Sequence, residues 1–150
     1  MDFAKFSIRP TQFDGLYGVM LAPLIHGSWS HLASNSVALL VLGTALLFGY
    51  PRSAKIVLPI LYLGTGLCVW FFARPVTHYG ASGLTFGMMF FVFTIGAIRW
   101  DRQAIALSML VFFLYGGMTW GIFPGKPNIS FETHFFGAAF GIALAIICRR

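Results

Sequence analysis

Ser82, in Gly80-Ala81-Ser82-Gly83, and His134, in His134-Phe135-Phe136-Gly137-Ala138-Ala139-Phe140-Gly141, each open a long apolar run. A serine hydroxyl is a weak nucleophile until a neighbouring base takes its proton, and imidazole is the commonest such base. If both runs cross a bilayer, counting the crossings puts the two residues at similar depth on one side. The chemistry such a pair offers is nucleophilic hydrolysis just below a membrane surface, on a substrate that also lies in the membrane. An earlier run opens with His31 and Asn35, four residues apart and therefore on one helix face. Three separate runs thus bring His31 with Asn35, Ser82, and His134 to one layer.

The elements that must position these groups follow from composition. Of the 150 residues, 58% are hydrophobic and only 9% charged, against about 25% charged in a soluble domain. Mean hydropathy is +0.81. Such a chain cannot clothe a soluble surface, and its length suits one domain. It reads as an integral protein of a lipid bilayer. The net charge of +6 is carried by basic residues scattered singly and in pairs between apolar runs. That pattern fits membrane-flanking anchors and not a nucleic-acid groove. Cys68 and Cys148 fall within or at the end of apolar runs and read as packing thiols. Residues 1–7 hold no continuous apolar stretch, so no signal peptide is expected.

A helical crossing needs about 20 apolar residues, within a range of about 17–25. Five runs are candidates, the last the shortest: residues 30–48, 56–72, 82–98, 104–120 and 133–148. Their separators carry turn and charge signals: Tyr50-Pro51-Arg52-Ser53, Ala73-Arg74-Pro75, Arg99-Trp100-Asp101-Arg102, and the glycine- and proline-rich residues 121–130. With five crossings, four basic residues (Lys5, Arg9, Arg74, Lys126) share one side with Asp2, Asp14 and Glu132. Six (Arg52, Lys55, Arg99, Arg102, Arg149, Arg150) share the other with Asp101. The positive-inside rule makes the second side cytoplasmic and puts Ser82 and His134 at the outer face. Residues 1–25, broken by Gly15, Gly18 and Pro23, are expected to form an outer-face loop or short interfacial helix. Residues 26–150 are expected to form the transmembrane core.

Polar groups within a bilayer are costly and usually partnered. Gly83 with Gly87, and Gly137 with Gly141, form small-xxx-small pairs that let helix backbones approach closely. Close packing of these faces would bring Ser82 within hydrogen-bond reach of His134, about 2.6–3.2 Å. Each signal has a plainer reading: Gly-x-Ser-Gly as packing, a histidine as structural, Asn35 as interhelical glue, His26 and His78 as interfacial residues. The convergence at one depth favours function. A metal site from the four histidines is disfavoured, because no His-Glu-x-x-His occurs and no carboxylate lies nearby in sequence.

The combination His26-x4-His31-x3-Asn35, Gly80-x-Ser82-Gly83 and His134-x2-Gly137-x3-Gly141 resembles the rhomboid intramembrane serine proteases, in family order over about residues 12–148. The resemblance implies an all-α membrane protein, a rhomboid-like polytopic helical bundle with five transmembrane helices of the family's usual six. The motif-bearing first span corresponds to the family's second, and residues 1–25 to the latter part of the outer loop before it. It implies a bacterial plasma membrane, single-span membrane proteins as substrates, and no cofactor. Ser82 is then the nucleophile and His134 its general base. His31 and Asn35, with the Ser82 backbone N–H, form the oxyanion hole, and Gly80 and Gly83 allow the tight turn around the serine. Where the family commonly stacks a tyrosine on the histidine, this chain has Phe86, which keeps the ring but not the hydroxyl. No third member of a triad is expected: Asp101 lies at the opposite face and Glu132 points elsewhere.

Rival readings are a non-catalytic rhomboid-like binding protein, an inactive shortened fragment, and a small channel or transporter. Pseudoprotease members of the family lose the serine or the histidine, and both stand here. No charge falls within a span interior and no clear internal repeat is visible, against a transporter. Trp120 and Phe123 are read as an interfacial aromatic belt, with a lateral substrate gate as the alternative.

Overall fold

The computed structural model describes residues 3–125 and 129–149. Asp2, Lys126 and Arg150, which enter the charge count, lie outside the described residues, as do residues 127–128 of the last connection. Of the described residues 78% are helical and none forms a strand, so the protein belongs to the all-α class. A short α1 (Gly18–Leu21) precedes four helices long and apolar enough to cross a membrane. These are α2 (Trp29–Gly49), α3 (Pro51–Phe72), α4 (Ser82–Arg99) and α5 (Arg102–Tyr115), which continues as a 3-10 helix over Gly116–Ile122. The last, α6 (Phe131–Ile147), is apolar but has 17 residues, a length of about 25 Å.

Local chemistry sets the ends. The Ser28 hydroxyl caps α2 by accepting from the His31 N–H at 3.1 Å, and Ser130 caps α6 from Thr133 at 3.3 Å. Asp101 caps α5 from the Ala104 N–H at 2.9 Å, a bond that also holds its carboxyl below the ordinary value. Two separators are therefore shorter than the sequence suggests. Pro51, whose fixed φ suits a first helical position, draws Arg52 and Ser53 into α3, and the Asp101 cap draws Arg102 into α5. The run expected over 104–120 is α-helical only to Tyr115, where Gly116-Gly117 begins the 3-10 stretch. Helix α4 differs from α2, α5 and α6: it starts at Ser82 with no capping side chain, so its leading N–H groups stay uncommitted to a cap.

Helix α4 is the axis of the bundle. Ten of its residues are buried, whereas α5 buries only Ala104 and Val111. Phe91, Met88, Met89 and Ile95 pack with Leu42 and Leu46 of α2, Val57 and Leu61 of α3, and Leu144 of α6. The closest approach is between α4 and α6. A Cβ placed on Gly137 would lie 2.2 Å from the Gly83 carbonyl oxygen, and one on Gly141 would lie 2.2 Å from that of Gly87. Both pairs therefore meet in one register, backbone against backbone. Outward faces remain apolar: Leu40, Phe48, Phe72, Phe112, Phe113 and Ile147 are all exposed. With no polar coat on such faces, this is an integral membrane protein.

The starts of α2, α4 and α6 share one end of the bundle, where His31, Ser82 and His134 line a common cavity. At the other end Gln103 donates to the Gly49 carbonyl at 2.8 Å and the Arg99 guanidinium lies over the Tyr50 ring. Residues before α2 are stitched to the cavity end. Ile8 and His78 exchange backbone hydrogen bonds at 2.9 and 3.0 Å, Thr11 donates to Trp70 O, and Gly80 donates to Ala22 O at 2.8 Å. The Trp70 indole donates to Gln12 O and the Tyr62 hydroxyl to Met20 O.

Substituting Gly141→Ala is expected to destabilise the protein in detergent by about 1–3 kcal/mol, the usual cost of overpacking. Gly43→Ala, where nothing lies within 4 Å of the added carbon, is expected to unfold at or above the wild-type midpoint. Thermal or denaturant unfolding followed by circular dichroism measures both.

Candidate active site

Ser82 is the first residue of α4 and His134 lies in the first turn of α6. The glycine contact below them leaves so little space between the two helices that the side chains meet: Ser82 Oγ is 2.9 Å from His134 Nε2. The other ring nitrogen, Nδ1, is 2.9 Å from the Gly121 carbonyl oxygen. A carbonyl only accepts, so that bond requires the proton on Nδ1 and leaves Nε2 bare to accept from the Ser82 hydroxyl. No hydrogen-bond donor among the described residues reaches Ser82 Oγ from elsewhere.

Phe86, one helical turn after Ser82, lies flat on the imidazole, with ring centroids 4.1 Å apart and planes 2° from parallel. The ring of His134 is thus fixed on its face by Phe86 and at its edge by Gly121. Residue 121 has to be small: a Cβ there would lie 2.8 Å from the Phe86 ring and 3.2 Å from His134 Nδ1. The Gly121 carbonyl is a part of the site that the sequence does not disclose, because a backbone acceptor has no side-chain signature.

His31 and Asn35 line the same cavity of about 750 Å³ as Ser82 and His134. Gly80 brings them near the serine turn. Its φ of +102° is a conformation that only glycine adopts freely. A Cβ on it would sit 2.9 Å from the His31 ring and 3.5 Å from Asn35 Nδ2. Asn35 is 6% exposed, and its Nδ2 is buried with no hydrogen-bond partner among the described residues. An unpaired buried donor costs about 1–3 kcal/mol, and this one belongs to a residue lining the cavity that holds Ser82. His31 also meets His26 edge to face, centroids 5.0 Å apart.

Other candidates fall differently. Glu132 turns from His134 to an ion pair with Arg74, whose Nη2 lies 3.1 Å from Oε2, with a second contact from Nε. His78, read from sequence as an interfacial residue, is 1% exposed and bonded to Ser130 Oγ and Arg74 O. The cap spacing Ser130-x-x-Thr133 was a readable signal for one half of that contact. Among the described residues no three His, Cys, Asp or Glu side chains are grouped as metal ligands. The arrangement offers a hydroxyl on a neutral, oriented imidazole, with an amide donor and uncommitted helix N–H groups beside it: the parts for acyl transfer.

The family model described as Rhomboid domain matches residues 14–150. A protein of Mycobacterium tuberculosis described as uncharacterized is 38% identical over 150 residues, covering 93% of this chain. One from Mycobacterium bovis matches equally, and one from Mycobacterium leprae is 32% identical over 153 residues. The chain spans 62% of the length of the first two and 59% of the third. No solved structure matches significantly.

Nitrogen-15 spectra of histidine-labelled protein near neutral pH are expected to show His134 as the neutral Nδ1–H tautomer. Finding the proton on Nε2 instead would contradict the bond to the Gly121 carbonyl.

Proposed function

Because the chain belongs to the rhomboid family, we propose that it is an intramembrane serine endopeptidase that cuts single-span membrane proteins near the outer membrane surface. The observation that carries this reading is the 2.9 Å contact between Ser82 Oγ and a His134 Nε2 left free to accept. Ser82 Oγ attacks the scissile carbonyl carbon while its proton passes to Nε2. The resulting imidazolium keeps its Nδ1–H on the Gly121 carbonyl and its face on Phe86. Negative charge on the tetrahedral oxygen is met by Asn35 Nδ2, His31 and the Ser82 N–H at the uncapped start of α4. Collapse of the intermediate breaks the C–N bond, and Nε2–H protonates the leaving amine. Water, losing a proton to Nε2, then attacks the acyl-serine, and the returning proton frees the Ser82 hydroxyl.

A transmembrane helix hides its amides in its own hydrogen bonds, so a substrate has to bend or unwind before attack. Substrates with Gly, Pro or other helix-weakening residues near the outer surface are therefore expected, with a small side chain beside the cut. Access is proposed beside the 3-10 stretch Gly116–Ile122, which lines the cavity through Gly117, Met118 and Gly121. The preceding α5 has little buried contact to hold it in place. Trp120 and Phe123, both exposed with rings 6.2 Å apart, mark the interface there. The orientation rests on charge. Among the described residues Lys5, Arg9 and Arg74 stand at the cavity end against Arg52, Lys55, Arg99, Arg102 and Arg149 at the other. The second end is thereby cytoplasmic, in a bacterial plasma membrane, with the cavity facing outward.

Cleavage of a single-span reporter in liposomes tests the reading. Ser82→Ala and His134→Ala are expected to fall to background, and Asn35→Ala by about 10²–10³-fold, the usual cost of one oxyanion donor. Equal cleavage by wild type and all three variants would reject the assignment.

A further inference from the structure

Ser130, in the wall of the same cavity, forms a second serine–histidine couple with His78, and its hydrogen-bond scheme mirrors the first with the ring nitrogens exchanged. His78 Nε2 is 3.0 Å from the Arg74 carbonyl and therefore carries the proton. Its Nδ1 is left to accept from the Ser130 hydroxyl at 2.6 Å. The two couples differ at the serine. Ser82 Oγ has its lone pairs available, whereas Ser130 Oγ accepts from the Thr133 hydroxyl at 2.5 Å and from the Thr133 N–H at 3.3 Å. With its proton and both lone pairs engaged, Ser130 is a junction, not a second nucleophile.

What the junction holds is the first turn of α6. Ser130 is its cap, and the Ser130 carbonyl accepts from the His134 N–H. Thr133 is wedged against α4, since a Cβ on Gly83 would lie 2.7 Å from its methyl carbon. Arg74, in the same connection as His78, clamps Glu132. The His78 backbone is itself anchored in both directions to Ile8. Resting on the function proposed above, we infer that His78 is a positioning residue: through Ser130 and Thr133 it sets the rotation of the start of α6, and so the direction in which His134 presents Nε2 to Ser82. Burial pushes the His78 imidazole below its ordinary value, against the opposing pull of the Arg74 carbonyl and Glu132, which favours the neutral acceptor form this scheme uses. Arg74 and Glu132 are the charged groups facing it.

The variants that test this are His78→Phe, which fills the space without an acceptor, His78→Asn, whose Oδ1 takes the place of Nδ1, and Ser130→Ala. Reporter cleavage in liposomes is normalised to folded protein, and labelling of Ser82 by a fluorophosphonate is timed. For His78→Phe and Ser130→Ala, kcat and the labelling rate are expected to fall about 10–100-fold, the scale of a small misplacement of reacting groups. KM is expected to be unchanged, and His78→Asn to recover most of the loss. Equal loss in the Asn and Phe variants, unchanged kcat in Ser130→Ala, or labelling of Ser130 in Ser82→Ala protein would overturn the inference. If His78→Phe fails to fold, Ser130→Ala and His78→Asn carry the test. Should wild type neither cleave nor label, the proposed function fails instead. The positioning claim is then read from the His134 nitrogen-15 signals, expected to move in Ser130→Ala and to stay in His78→Asn.

Discussion

Helices α4 and α6 touch where neither has a side chain, and the rest of the site is arranged around that contact. In lipid there is no hydrophobic force to draw two apolar helices together, because the acyl chains are as apolar as leucine. Association has to come from close van der Waals contact, which falls away within fractions of an ångström. The Gly83–Gly137 and Gly87–Gly141 contacts supply it at two successive turns and fix the register as well as the distance. Beside the upper contact, the same separation leaves a gap that Ser82 and His134 span with a single hydrogen bond. A side chain of any size at Gly137 or Gly141 would meet α4 backbone and hold apart the two groups on which the proposed chemistry depends.

The cavity end of the bundle gathers buried polar groups, and several of them are matched. His134 is held between a carbonyl and a hydroxyl, His78 likewise, and Glu132 is met by Arg74. Asn35 Nδ2, like both His26 ring nitrogens and Thr65 Oγ1, is buried and unpaired among the described residues, and of these residues Asn35 alone lines the cavity that holds Ser82. A buried donor kept without a partner is a local sacrifice of stability. It is consistent with a role in which the partner is a charge that exists only during reaction. The uncapped start of α4 follows the same logic.

Much of this was legible in the residues. Apolar runs and their flanks gave the helices, and glycine spacing in two of them gave the contact that brings Ser82 to His134. The residues that escaped reading act through the backbone or across long stretches of chain. Gly121 contributes a carbonyl, which any residue type would carry, and only its smallness relates to sequence. His78 looked like one more interfacial histidine because its partner Ser130 is 52 positions away, on a helix whose rotation no periodicity specifies. The 3-10 end of α5 is not legible, because an apolar window does not distinguish α from 3-10 winding when glycines are present.

The group that orients His134 is a peptide oxygen and not a carboxylate. In water-soluble hydrolases that hold the imidazole with an aspartate, the orienting partner is itself a titrating anion. It has to be sheltered from protonation, and placing it inside a bilayer would carry a heavy desolvation penalty. A peptide oxygen has no proton to gain over the physiological range and brings no net charge into the hydrocarbon. The alignment of the ring is therefore indifferent to the acidity of the compartment it faces, and adds no fixed charge for the transmembrane voltage to act on.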